Sequence, residues 1–122
     1  MKVVIHTKHL RGEEGYIKFA KYRSGEIAIE ALDTFGEPLI RYTLSMIPYA
    51  KEELAFLGYD VSAGDICIKS YSENEGALQS LIDCKIIYPN HKFFQYNGVT
   101  IYIGRLTDWA LKEFKKQEEV WA

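Results

Sequence analysis

Arg105 stands two residues before Thr107, where the strand-like run Val99-Thr100-Ile101-Tyr102-Ile103 gives way to a helical pattern. A guanidinium there offers a fork of donors to a phosphate, or a flat cation that stacks on a base. Thr107 reads as the N-cap of the following helix, and a helix N-terminus presents free N–H groups and partial positive charge to an anion. A second strand-to-helix junction lies in Ser72-Glu73-Asn74-Glu75-Gly76. Ser72 and Glu75 have the S-x-x-E spacing of a capping box, so a helix start accounts for both. Tyr71 and Asn74 beside them are left for a ligand. Tyr71, Tyr88 and the Phe93-Phe94 pair are candidate ring platforms. Asn74 and Asn90 carry amides that both donate and accept, as a ribose hydroxyl or a base edge requires. Plainer roles stand beside these. Arg105 also suits a surface ion pair, Asn90 after Pro89 is a routine turn residue, and one of the Phe93-Phe94 pair belongs to the core.

Catalysis finds no comparable pattern. The chain has no G-x-S-x-G elbow, no Walker A loop and no G-x-G-x-x-G after a strand. Glu75 is taken by the cap, and Glu73 sits in an exposed position. Cys67 in an apolar strand and Cys84 near a helix end read as buried free thiols of a reducing compartment. No C-x-x-C or H-x-x-x-H spacing offers a metal site. His6 and His9 are three apart on an extended segment and face opposite ways. The expectation is a binding protein, not an enzyme, with no cofactor and no metal.

The elements that must position these residues follow from periodicity and punctuation. Residues 1–7 read as a strand and residues 8–15 as a polar loop containing Arg11. Three strand-period runs follow at 16–22, 26–32 and 39–45, separated by Arg23-Ser24-Gly25 and by Asp33-Thr34-Phe35-Gly36-Glu37-Pro38. They argue for an antiparallel meander with one covered face. Pro48 can open a helix that runs through Leu57 and stops at Gly58, although an extended connection also fits 46–59. Residues 60–65 form a loop, and Ile66-Cys67-Ile68 a short strand. A helix then leaves on Ala77, Leu78, Leu81 and Ile82. After a short extended link at 86–88, Asn97-Gly98 joins two strands in a type I′ hairpin. The last helix, residues 108–120, has Asp108 early and Lys112, Lys115 and Lys116 late, as the helix dipole favours. Trp109, Val120 and Trp121 make its ends greasy, which suits packing on the chain's own sheet first and a dimer seam second. The fold class is α+β: a mostly antiparallel sheet, a short helix after the ENEG segment and a C-terminal helix.

At 122 residues the chain is one domain, 1–122. Its hydrophobic fraction of 48% and charged fraction of 26% are those of ordinary globular proteins. No apolar run approaches the ~18 residues of a membrane span, and the start lacks a signal-peptide pattern. A cytoplasmic location follows by default. Net charge is −2 and the 15 basic residues are dispersed, so neither a membrane surface nor duplex nucleic acid is an expected partner.

The segment Ile68-Lys69-Ser70-Tyr71-Ser72-Glu73-Asn74-Glu75-Gly76-Ala77-Leu78-Gln79-Ser80-Leu81 resembles an IK-x-YSENEG pattern of small phage and conjugative-element proteins. It is similar to the phage Thoeris anti-defence proteins of the first type. The resemblance implies a nucleotide sponge that binds a cyclic ADP-ribose isomer (a glyco-cyclic ADP-ribose) and withholds it, uncleaved, from a bacterial defence effector. It implies a homodimer or larger assembly in the host cytoplasm, with ligand near the subunit interfaces. Arginines would meet pyrophosphate, and a ring or guanidinium would sandwich adenine. On this chain Arg105 would take adenine or phosphate, with Thr107 beside it at the helix start. Arg23 or Arg11 would reach phosphate from the turn region. Tyr71 and Asn74 carry over from the motif, and Asn90 would contact ribose. The alternative is an interaction protein of a mobile element that blocks a host protein by surface contact, using the exposed aromatics.

Overall fold

A computed structural model describes residues 1–121, with side chains through Val120, so the Trp121 side chain expected at the greasy helix end lies outside the described residues. The fold is α+β with two four-stranded antiparallel sheets. The first sheet runs β1 (Lys2–His6), β2 (Arg11–Lys21), β3 (Ile27–Leu32) and β4 (Pro38–Arg41) in sequence order. The second contains β5 (Thr43–Leu44), β6 (Asp65–Lys69), β7 (Lys92–Tyr96) and β8 (Val99–Arg105) in the order β5-β6-β8-β7. Three helices complete it: α1 (Ile47–Phe56), α2 (Ala77–Asp83) and α3 (Asp108–Trp121).

The run at 39–45 is therefore not one strand. It divides at Tyr42, whose N–H donates to Ile29 O of the first sheet at 2.9 Å and whose carbonyl accepts from Lys69 N–H of the second at 2.8 Å. Periodicity cannot reveal such a crossing, because the chain stays extended through it. The polar loop expected at 8–15 is likewise mostly strand, and Arg11 opens β2. Only a tight turn remains, with Thr7 N–H donating to Leu10 O at 2.7 Å. Residues 11–15 pair with β1, and backbone bonds hold an exposed ladder that has no apolar side to betray it.

Side-chain alternation assembles the layers. Ile17 and Phe19 of β2, Ile27 and Ile29 of β3 and Val3 and Ile5 of β1 face one core, which α2 and α3 complete through Leu81, Ala110 and Phe114. Phe19 and Phe114 meet edge to face at 5.8 Å. Ile66 and Ile68 of β6 enter the same core, while Cys67 between them points to a second one. There α1 lays Met46, Ala50 and Leu54 on Phe94, Ile101 and Ile103 of the second sheet. The second sheet is thus covered on both faces, which is why β6 reads as an unbroken apolar run. Burial pushes the Cys67 thiol up to about 12. Cys84 is only half-buried, and its Sγ donates to Val4 O at 3.4 Å.

Pro48 and Gly58 bracket α1 as expected, with Pro in the first turn and Gly58 at φ +74°. The start of α1 is tied to the first sheet by Glu26. This buried carboxylate accepts from Ser24 Oγ at 2.8 Å, Ser45 Oγ at 2.9 Å and Tyr59 OH at 2.9 Å. It also accepts from Met46 N–H at 3.1 Å and Ile47 N–H at 3.0 Å. Burial by itself pushes the Glu26 carboxyl up, but the Ile47 and Met46 amides and the serine hydroxyls together hold it below its ordinary value. A carboxyl with a lowered folded pKa stabilises the fold above its unfolded pKa, and that contribution disappears as pH falls through the folded value. Glu26→Ala leaves several buried donors unpaired and costs about 3 kcal/mol or more of unfolding free energy. Urea melts at pH 7 and pH 3 check both statements: the difference between Glu26→Ala and wild type is large at pH 7 and shrinks at pH 3.

Candidate functional site

The register of the β7–β8 hairpin sets Lys92 opposite Ile103, so the residues just before β7 lie beside those just after β8. Tyr88 N–H donates to Arg105 O at 3.0 Å and Thr107 N–H to Ile86 O at 2.9 Å, fixing this link against the strand end. Between them lies an open cleft of about 290 Å³, bordered by Asp65, Tyr88, Asn90, His91, Lys92 and Arg105. Arg105 Nε donates to Asp65 Oδ1 at 2.7 Å and Nη2 to Oδ2 at 3.2 Å. The Asp65 carboxylate raises the guanidinium pKa further. Asp65 is buried and Arg105 half exposed, so the pair anchors the guanidinium at the wall and uses Nε and Nη2, not Nη1. Lys92 Nζ donates to Leu57 O at 2.6 Å, a cation on the C-terminal end of α1. Lys92 and Arg105 are the cations of the lining and Asp65 its carboxylate, and Asp60 also lies within electrostatic reach of Arg105. The rings of the lining are Tyr88 and His91, the latter edge-on to Tyr102 at 5.4 Å; Phe93 and Tyr102, 6.4 Å apart, lie on the opposite face of the hairpin from Lys92. Phe93 is exposed and Phe94 buried, the division expected from strand alternation.

Of the residues singled out in the sequence, Asn90 and Arg105 meet in this cleft. Thr107 is the α3 N-cap as expected, with Oγ1 accepting from Ala110 N–H at 3.2 Å and donating to Lys85 O at 2.8 Å. The others go elsewhere. Arg23 is exposed in the β2–β3 turn, and Arg11 lines a shallow depression with Lys8 and Gly76. Tyr71 borders a separate groove beside the N-terminal end of α1. Asn74 is buried, and its Nδ2 donates to Arg41 O at 2.7 Å and Lys69 O at 3.3 Å, tying the two sheets together.

The capping box does not form. Ser72 sits at φ +57° in a 3₁₀ turn, whereas an N-cap needs extended backbone. The chain enters α2 through Gly76 at φ +99°, and Ser70 Oγ, from the end of β6, accepts Leu78 N–H at 3.1 Å. A Cβ on Gly76 would lie 2.9 Å from His6 O, so the β1–β2 turn closes over this junction. At the second junction Tyr88 OH takes Asp108 N–H at 3.2 Å and Thr107 takes Ala110 N–H. Three of the amides expected to hold an anion, those of Leu78, Asp108 and Ala110, thus already have partners. The residues that sequence reasoning passed over are Asp65, His91 and Lys92. The Asn97-Gly98 turn carried the signal, since a two-residue loop fixes the register that brings Lys92 to Ile103.

No protein-family model, curated protein or solved structure matches this chain. The geometry alone therefore ranks its sites. Asn74→Ala leaves the carbonyls of Arg41 and Lys69 without their donor and lowers stability by about 1–3 kcal/mol. Thermal unfolding reads that loss directly, and ligand affinity of the folded fraction stays at the wild-type value.

Proposed function

We propose that this chain binds a small anionic nucleotide in the Arg105 cleft and holds it without turnover. One observation carries the reading: the donors of Arg105, Lys92 and Asn90 converge in one concavity with the rings of Tyr88 and His91. Arg105 is pre-oriented by a buried carboxylate, so little side-chain entropy is lost when Nη1 meets a phosphate. Lys92 contributes charge, and the Asn90 amide can serve ribose or a base edge. Sequestration asks only for ground-state affinity, which a preset donor cluster supplies.

The ligand class is the one implied by the YSENEG resemblance, a cyclic ADP-ribose isomer acting as a defence signal. The cleft lies at the lower end of the roughly 300–1,000 Å³ typical of ligand sites. It suits one phosphate-and-ring portion, with the rest at the open mouth or against a second copy. Residence in the host cytoplasm belongs to this same reading.

The experiment is incubation with the cyclic nucleotide, heat denaturation and chromatography of the supernatant, beside calorimetry. Intact nucleotide returned from a complex supports sequestration, and a degraded product means an enzyme. Arg105→Ala weakens binding about ten- to a hundredfold. Because that change also strands Asp65, Asn90→Ala at an exposed turn serves as the fold-neutral partner, with a loss of several-fold. No heat of binding at micromolar protein sinks the proposal.

A further inference from the structure

The β1–β2 turn gathers cations that the fold leaves unpaired. Residues 1–12 contain Lys2, His6, Lys8, His9 and Arg11 and neither Asp nor Glu. No ion pair among the described residues uses Lys8 or Arg11. The two instead line an open depression of about 510 Å³ with His6, Thr7, Glu75 and Gly76. Backbone bonds fix this wall. Thr7 N–H donates to Leu10 O at 2.7 Å, Leu10 N–H returns to Thr7 Oγ1 at 3.3 Å, and Lys8 N–H donates to Glu75 O at 3.0 Å. A bulge at Gly12, at φ +70°, sets Arg11 opposite His6 in the strand pair, so their side chains leave on one face. Gly12 N–H donates to His6 Nδ1 at 3.2 Å. A ring nitrogen that accepts carries no proton, so the imidazole hydrogen sits on Nε2 as a further donor.

We propose that the His6–Arg11 turn binds a phosphate group at a site separate from the Arg105 cleft. The Arg11 fork spans two oxygens of a tetrahedral anion, and the Lys8 ammonium and His6 Nε2–H are left for the others. Two cations also match a doubly charged phosphate. A carboxylate brings one charge and two oxygens, which leaves one of the cations uncompensated. Glu75 is the acid of the lining, exposed and in no ion pair with either cation, so it opposes an anion without blocking it. Glu14 and Asp83 border the adjoining depression that shares His6, and Glu14 is paired with Lys2. The turn belongs to the first sheet and the Arg105 cleft to the base of the second sheet's hairpin. They share no lining residue, so loss of either site leaves the other in place.

Pyrophosphate and ADP offer the same group from two sources, and residue-by-residue NMR titration of the full chain with each tests the site. Saturable shifts of the Lys8, Arg11 and Gly12 amides are expected with both. Lys8→Ala and Arg11→Ala each weaken binding about three- to tenfold, as exposed charged contacts do. Glu75→Gln strengthens it, an effect that a purely structural role of the turn does not produce. Asn90→Ala leaves these shifts unchanged, while shifts at Tyr88, Lys92 and Arg105 read the other cleft separately. Four results overturn the assignment. They are a response to ADP alone, no saturation by about 10 mM pyrophosphate, equal shifts with sodium chloride at matched ionic strength, and unchanged affinity when Lys8 and Arg11 are both alanine.

Discussion

The architecture depends on a buried carboxylate that, among the described residues, has donors but no paired cation. Glu26 collects five hydrogen bonds from the β2–β3 turn, the start of α1 and Tyr59. A buried anion is tolerable only when its lone pairs are satisfied, and here the donors come from three parts of the chain: Ser24 in the β2–β3 turn, residues 45–47 at the start of α1, and Tyr59 beyond its end. Burial and hydrogen bonding to Glu26 push the Tyr59 phenol far up, so it remains a donor to the carboxylate. Where the chain crosses between the sheets, Tyr42 uses its N–H on one and its carbonyl on the other. Thr43 adds a third stitch, its Oγ1 accepting Ile29 N–H at 3.0 Å. Three polar fixings thus set the relation of the first sheet to α1 and the second sheet, which apolar packing alone leaves free to slide.

That relation decides where ligands can go. With the second sheet covered on one face by the main core and on the other by α1, the open surface of its α1 face is confined to the two ends of the helix. The C-terminal end meets the hairpin base, where Lys92 caps Leu57 and Arg105 is pinned to Asp65. The N-terminal end meets the hairpin tip, where tyrosines gather around an apolar floor. One end is charged and the other is not. The sequence motif that names Tyr71 and the junction that names Arg105 therefore do not build one pocket.

Local chemistry was readable wherever a residue type admits one geometry. Asn97-Gly98 supplies positive φ at both positions of a two-residue turn, and the observed angles are +48° and +81°. Pro48, Gly58 and Thr107 mark helix ends for equally specific reasons. Spacing without conformation was less informative. Ser72 and Glu75 have the capping-box offset, yet Ser72 adopts a left-handed backbone and Gly76 starts the helix. The strand that Arg11 opens was not legible because residues 11–15 form an exposed ladder held by backbone bonds. The convergence of Asp65, His91, Lys92 and Arg105 needed sheet order, which is non-local. β6 lies next to β8, not to its sequence neighbour β7, and no periodicity encodes that choice.

Lys92 holds the Arg105 cleft in a balance with consequences for α1. Its ammonium is one of the contacts on the exposed carbonyls at the C-terminal end of that helix. Lysine has three donors, so an anion in the cleft can share the ammonium without displacing it from Leu57 O. Full displacement forfeits a charge-assisted bond worth about 1.5–3 kcal/mol, and few ligand contacts recover that. A ligand that leaves Lys92 on α1 and takes Nη1 of Arg105 loses nothing. Arg105 behaves in the same way, since Asp65 occupies Nε and Nη2, not Nη1. The two cations are therefore held by the fold without a ligand, and an anion bound as proposed would add contacts to them without first breaking those that position them. A site of that kind gains affinity from preorganisation and changes the protein's shape little.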